Sequence, residues 1–198
     1  MGDKTTKEKL MDSALKLFSM KGFDGTSVDE IAEAIGIKGP NLYNYFKGKE
    51  ALLETLIANS EEAYKGNMNK IASTPRVIRS GKDLKDHSLG LLSFTLNNEQ
   101  AVQMRRLLTI EQFRNEKFAK LATKYSIENM VGLYTGIFKE MIKDGLVKDY
   151  DPETLAITFA LPISEYIALS DRSVNNKEDA MKKIENHIDF FIKAFCLA

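Results

Sequence analysis

The sequence predicts an all-α fold of about nine helices, and three observations predict it. Apolar residues recur at spacings of three and four along most of the chain. Only four prolines, Pro40, Pro75, Pro152 and Pro162, interrupt 198 residues, so long stretches carry no helix breaker. No segment alternates polar and apolar residues long enough to compete as a strand.

The first helix runs from about Lys4 to Met20. Leu10, Met11, Ala14, Leu15, Leu17 and Phe18 form its apolar stripe, and Gly22 and Gly25 end it, with Asp24 in the turn. Ser27 with Glu30 three residues later reads as a capping box. It opens a short second helix marked by Val28, Ile31, Ala32 and Ile35. Gly36 stops that helix, because a left-handed C-terminal residue is cheapest as glycine. Pro40 fits the first turn of a third short helix, where a missing N–H costs nothing. Leu42 and Phe46 face inward from it, and Gly48 ends it. A fourth helix starts near Lys49 with Leu52, Leu53, Leu56 and Ile57 on its apolar face, continuing towards Ala72. The stretch 73–81, with Pro75 inside it, reads as a loop.

Further helices fall at about Asp83–Leu96, Glu99–Phe113 and Glu116–Asp144, the last with a break near Ser126. The stretch 145–151 connects. Asp151 is the N-cap of a helix that starts at Pro152 and reaches about Leu169, with Pro162 as a possible kink. A final helix spans roughly Glu178–Phe195. The division that follows is residues 1–48 as a helix-turn-helix domain and 49–198 as a larger helical domain.

Charge and composition exclude several classes. Lys plus Arg is 28 and Asp plus Glu is 28, so the formal charge is 28 − 28 = 0. A polycation that coats nucleic acid by bulk charge is excluded, although a zero sum can hide a basic face. With 43% hydrophobic and 28% charged residues, the chain is composed like a soluble globular protein. Cys196 is the single cysteine, which excludes an internal disulfide and a cysteine-based zinc site. No run approaches the ~20 apolar residues of a membrane span. The polar first ten residues lack the apolar stretch of a secretory signal. A cytoplasmic protein without membrane contact is expected. His87 and His187 have no second ligand at metal spacing. No P-loop or dinucleotide glycine fingerprint occurs. Neither a metal, a cofactor nor an enzymatic activity is expected.

Residues 27–46 carry the functional signal. Two short helices around a tight turn make a helix-turn-helix, which leaves the outer face of the second helix free to enter the ~12 Å major groove. Gly39, Pro40, Asn41, Asn44 and Tyr45 are its outer residues. An asparagine carboxamide offers a donor and an acceptor and can pair bidentately with adenine. Gly39 and Pro40 allow close backbone approach. Between Gly36 and Lys49 lie three lysines, Lys38, Lys47 and Lys49, and no acid. The segment is +3 within a neutral chain. Lys49 at a helix start opposes the helix dipole unless an anion sits there. Thr26 and Ser27 add hydroxyls at the start of the second helix. Asp29, Glu30 and Glu33 should face away from a duplex. Lys47 reads equally as solvated surface, and Tyr43 as a tyrosine covering the small core.

These residues resemble the DNA-binding domain of the tetracycline-repressor (TetR) family. The match runs through Ala14-Leu15-Lys16-Leu17-Phe18, Gly22-Phe23, Thr26-Ser27-Val28-Asp29-Glu30-Ile31-Ala32, Gly36-Ile37 and Leu42-Tyr43-Asn44-Tyr45-Phe46-Lys47-Gly48-Lys49-Glu50-Ala51-Leu52. It covers about the first 55 residues. Lys38 stands where the family often has Ser, Thr or Glu. The resemblance implies that Tyr43 packs on the DNA backbone and that Lys49 and Thr26 meet phosphate. It further implies a homodimer on a palindromic double-stranded DNA operator, and release by a small, hydrophobic effector whose identity the residues do not give. DNA-binding candidates are therefore Thr26, Ser27, Lys38, Gly39, Pro40, Asn41, Tyr43, Asn44, Tyr45 and Lys49.

For the effector, the resemblance implies a cavity among the middle helices. Met104, Phe113, Met130, Tyr134, Phe138, Phe159 and Tyr166 are its candidates, although helical spacing makes most of them core as well. Arg105, Glu111 and Gln112 are polar candidates, or surface and salt-bridged residues. For the dimer, Ile184, Ile188, Phe191, Ile192 and Phe195 form an apolar stripe that fits a partner helix, an intramolecular core, or both. The alternative to a regulator is a helical small-molecule binding protein that has lost DNA binding.

Overall fold

A computed structural model describes residues 4–73, 78–173 and 176–197. Among them are nine α-helices and no strand. The helices are α1 (Thr6–Lys21), α2 (Val28–Glu33), α3 (Lys49–Ser73), α4 (Gly81–Asn97), α5 (Glu99–Glu111), α6 (Glu116–Thr123), α7 (Asn129–Lys143), α8 (Pro152–Arg172) and α9 (Lys177–Phe195). A 3-10 helix, Gly39–Asn44, follows α2, and one π-helical stretch, Lys124–Glu128, joins α6 to α7. The loop expected around Pro75 lies in part outside the described residues, which omit 74–77.

Local chemistry explains the helix ends. Thr5 and Ser27 each close a capping box. The Thr5 hydroxyl accepts from Glu8 N–H and Glu8 accepts from Thr5 N–H. Ser27 and Glu30 repeat the pattern at 3.1 and 2.9 Å. Each box satisfies N–H groups that a helix start leaves without partners. Asp151 caps α8 by accepting from Thr154 N–H at 2.7 Å. Gly22 ends α1 at φ +78°, a backbone that side-chain-bearing residues rarely adopt.

The sequence-derived boundaries differ in two informative places. The second helix stops at Glu33, not at Ile35, and the turn then runs to Gly36. The break expected near Ser126 is a change of helical pitch, with Ser126 inside the π-helical stretch.

The chain forms two compact units, one from residues 1–75 with 99–116 and the other from 76–98 with 117–198. In the first unit, α1 packs against α2, α3 and α5, and the 3-10 helix packs on α2. Leu10, Ala14, Leu15 and Phe18 of α1 are buried, as are Ile31, Ala32, Leu42, Leu52, Val102 and Leu107. The predicted apolar stripes of these helices therefore become core.

In the second unit, α7, α8 and α9 enclose an aromatic cluster. The ring centroid of Tyr134 lies 4.6 Å from that of Phe159, and that of Phe138 lies 5.6 Å from Phe159 and 5.2 Å from Phe191. Such tilted and edge contacts suit the ring quadrupoles. The Tyr134 hydroxyl donates to Ser88 Oγ at 2.9 Å, and burial pushes its phenol up to about 12. Lys85 of α4 pairs with Asp189 of α9.

This packing bears on two groups of sequence candidates. Of the effector candidates, Tyr134, Phe138 and Phe159 fill the cluster themselves, and Met130 and Tyr166 pack against it. Met104 and Phe113 belong to the first unit, where Met104 is buried and Phe113 is 89% exposed. Of the dimer candidates, Ile184, Ile188 and Phe191 are fully buried in their own unit, and Ile192 and Phe195 are partly buried beside them. Ile184, Ile188 and Phe191 of the stripe are taken up by packing within the unit, while Ile192 and Phe195 keep exposed surface. More exposed apolar groups on α8 and α9 include Ile157 and Phe190, the latter 66% exposed.

Candidate nucleic-acid interface

The outer face of the 3-10 helix is the best-formed candidate site. Gly39 and Leu42 point inward and are buried, as is Phe46 just beyond the helix. Lys38, Pro40, Asn41, Tyr43, Asn44 and Tyr45 are exposed, with Tyr43 at 59% and Tyr45 at 43%. Large aromatic rings at such exposure lose the stabilisation of burial, so a partner surface gives them a purpose.

The pitch matters. Asn41 N–H donates to Lys38 C=O and Tyr45 N–H to Leu42 C=O, both at 2.9 Å. In a 3-10 helix residues three apart eclipse each other at ~2.0 Å rise per residue. Asn41 and Asn44 therefore share one edge, about 6 Å apart along the axis. Pro40 and Tyr43 share the next.

Packing on α2 fixes the start of this helix. A Cβ on Gly39 would lie 1.7 Å from Oδ1 of Asp29 and 2.9 Å from its Cγ. A side chain at position 39 would therefore require the exposed Asp29 carboxylate to turn aside. The sequence reads Gly39 as an outer residue that lets the backbone approach DNA; in the structure it is buried beside Asp29.

Lys49 sits half-buried at the start of α3. Its ammonium donates to Phe23 C=O at 2.8 Å and Thr26 C=O at 2.9 Å, and lies 4.3 Å from the centre of the Phe23 ring. Those contacts compensate the unfavourable dipole at a helix start. Thr26 is 1% exposed, and its hydroxyl donates to Gly22 C=O at 2.9 Å. Ser27 is exposed but shares its hydroxyl with Glu30. Glu30 also pairs with Lys21, and that ammonium with the two Ser27 contacts holds its carboxyl down at about 2. Lys7 of α1 places its ammonium 5.6 Å from the centre of the Phe46 ring.

One residue outside the helix-turn-helix joins it. Glu111, at the end of α5, is 3% exposed, and its Oε1 accepts from Phe23 N–H at 2.9 Å. Arg114 flanks the same oxygen at 3.7 Å. Sequence spacing gave no signal for this pairing across 88 positions.

Residues 10–56 match the family model described as bacterial regulatory proteins, tetR family. The likeness to that family spans these 47 residues, about a quarter of the chain. The chain is 34% identical over 108 residues to the protein named Probable HTH-type transcriptional regulator YttP of Bacillus subtilis (strain 168), covering 54% of this chain and 52% of that one. It is 46% identical over 48 residues to IcaR of Staphylococcus aureus (strain Newman), the HTH-type negative transcriptional regulator of the biofilm operon icaADBC, covering 24% of this chain and 26% of IcaR. The chain thus aligns with about half the length of YttP and a quarter of IcaR. Among solved structures, SmeT, repressor of the Stenotrophomonas maltophilia multidrug efflux pump SmeDEF, superposes with a TM-score of 0.68 at 16% identity. That match covers 98% of this chain and 92% of SmeT. The fatty acid degradation regulator FadR of Bacillus halodurans gives 0.68 at 16% identity, covering 96% and 97%. At such identities these two structures establish the shared all-α fold. Among the described residues no helix is long and apolar enough to cross a membrane.

Proposed function

We propose that this chain is a tetR-family DNA-binding transcriptional regulator that reads its operator with the exposed face of the 3-10 helix. The observation that carries the reading is the set of exposed polar and aromatic side chains at Lys38, Pro40, Asn41, Tyr43, Asn44 and Tyr45, held on a buried Gly39–Leu42–Phe46 base. Asn41 and Asn44 read base edges, since about 6 Å along the axis is close to two steps of the ~3.4 Å base-pair repeat. Tyr43 and Tyr45 pack on sugar and phosphate. Lys38 neutralises phosphate. Lys49 has used two N–H groups on carbonyls, and the third, with the N-terminus of α3, meets a phosphate. Ser27 presents a hydroxyl nearby. Thr26, being buried, serves the interface by holding the turn, and Gly39 by letting the helix start against Asp29.

One recognition helix contacts too few base pairs for genomic specificity, so the regulator works as a homodimer on a palindrome. The domain assignment is residues 1–48 for DNA and 49–198 for dimerisation and effector binding. Exposed apolar groups of α8 and α9, Ile157 and Phe190 foremost, provide the contact together with the partly exposed Ile192 and Phe195. A small hydrophobic effector enters beside the aromatic cluster at Met130 and Tyr166, whose side chains adapt more readily than the packed rings. It releases DNA only by binding more tightly to the dimer that fits the operator poorly. Repression is the sign of regulation that the name of IcaR supports.

A gel shift with the intergenic DNA flanking the gene, in moderate salt with competitor DNA, tests the proposal. A specific shift and a palindromic footprint are expected. No specific shift here and none from a genome-wide selection of bound fragments would favour a helical ligand-binding protein without DNA binding.

A further inference from the structure

The turn between α1 and α2 is gripped from two sides at one residue. Phe23 N–H donates to Glu111 of α5, and Phe23 C=O accepts from Lys49 of α3. These two groups belong to successive peptide planes. Each plane is rigid, so a bond to each restricts φ and ψ of Phe23. The adjoining groups are held too. Thr26 closes onto Gly22 C=O, and a Cβ on Gly22 would lie 2.6 Å from the Glu111 carboxylate. The carboxylate is buried while its bond to Phe23 N–H is partly buried, so an acceptor there is held in place by packing on α5.

We propose that Glu111 is a positioning residue for DNA binding: its grip on Phe23 N–H sets the turn that presents the Phe23 and Thr26 carbonyls to Lys49. The inference rests on the DNA-binding reading above and extends it to a residue on α5. Without the grip, the Gly22–Phe23 peptide turns, the Thr26 hydroxyl loses its ordered acceptor at Gly22 C=O, and the Thr26 carbonyl shifts away from Lys49 at the start of α2. What matters at position 111 is an oxygen that reaches Phe23 N–H, rather than a negative charge. Glutamine keeps that oxygen at full reach. Aspartate keeps the charge but falls short by one methylene.

The test compares Glu111→Gln, Glu111→Asp and Glu111→Ala in the full chain. Affinity is measured by fluorescence anisotropy on a fragment from the gel shift, and amide exchange at Phe23 by NMR well below the unfolding midpoint. The account expects glutamine to stay within about threefold of the parent, while aspartate and alanine weaken binding by roughly tenfold or more, with faster exchange at Phe23. If alanine fails to fold, the order of glutamine and aspartate decides. Aspartate binding as well as the parent, or better than glutamine, overturns the proposal. So does a folded variant with an unprotected Phe23 amide and unchanged affinity, which would leave the DNA-binding reading standing. A parent that binds no DNA specifically overturns both, even where the exchange pattern shows the grip itself.

Discussion

The carboxylate of Asp29 occupies the space that a side chain on Gly39 would need. This contact joins α2 to the first residue of the 3-10 helix, so it sets where the outward-facing residues begin. Gly39→Ala should force the exposed Asp29 to another rotamer and cost about 0.5–1.5 kcal/mol, the scale of a disturbed rotamer. In an Asp29→Ala background the same change should cost less than about 0.5 kcal/mol, because the clashing atoms are gone. Urea denaturation of the four proteins in this cycle measures the difference. Additive costs would show that Asp29 does not dictate the glycine.

Glu30 links stability to pH. Its ordinary value of 4.5 falls to about 2 through Lys21 first and Ser27 second. A folded-state value below the unfolded one stabilises the protein above the unfolded value, and that contribution disappears as pH falls through the folded one. Urea midpoints should therefore drop between pH 4.5 and pH 2, and Glu30→Gln should flatten that part of the profile. An unchanged slope in the variant would remove Glu30 from the account.

Neighbouring residues of α9 should behave oppositely. Phe191 is buried and stacked on Phe138 and Phe159, so Phe191→Ala should cost about 3–5 kcal/mol of stability. Phe190 is mostly exposed, so Phe190→Ala should leave monomer stability within about 0.5 kcal/mol and weaken the dimer. Thermal unfolding and sedimentation velocity separate the two effects. A Phe190→Ala dimer as tight as the parent would move the interface elsewhere.

Lys38 is a cleaner probe of phosphate than Lys49, whose ammonium also holds the turn. Lys38→Ala should weaken binding to all sequences alike and reduce the salt slope by about 1. Asn41→Ala should cost about 1–3 kcal/mol at one base position and relax specificity there. Affinities on a panel of single-base operator variants, over a salt series, distinguish these patterns. Uniform loss in Asn41→Ala would contradict base reading.

Much of the fold could be read from local chemistry. Ser27 with Glu30 announced the start of α2, and Asp151 before Pro152 announced α8. Thr5 with Glu8 carries the same cap signal at α1 but falls one residue inside the range predicted from periodicity. A break near Ser126 was legible, but periodicity does not say that it is a π-helical stretch rather than a loop. The stripe of Ile184, Ile188 and Phe191 said that one face of α9 is buried, but periodicity does not say against what. Asp29 against Gly39 and Glu111 on Phe23 were illegible for another reason. They are tertiary contacts, and no local rule links positions 10 or 88 residues apart.

The central claim is that the face carrying Asn41 and Asn44 reads DNA sequence. The most direct measurement is the affinity of the full chain for a fragment selected from genomic DNA, against a scrambled fragment of equal length, at ~0.15 M salt. The account predicts that the selected fragment binds at least roughly 10³-fold more tightly. Equal affinity for the two fragments, or no binding to either, would contradict it.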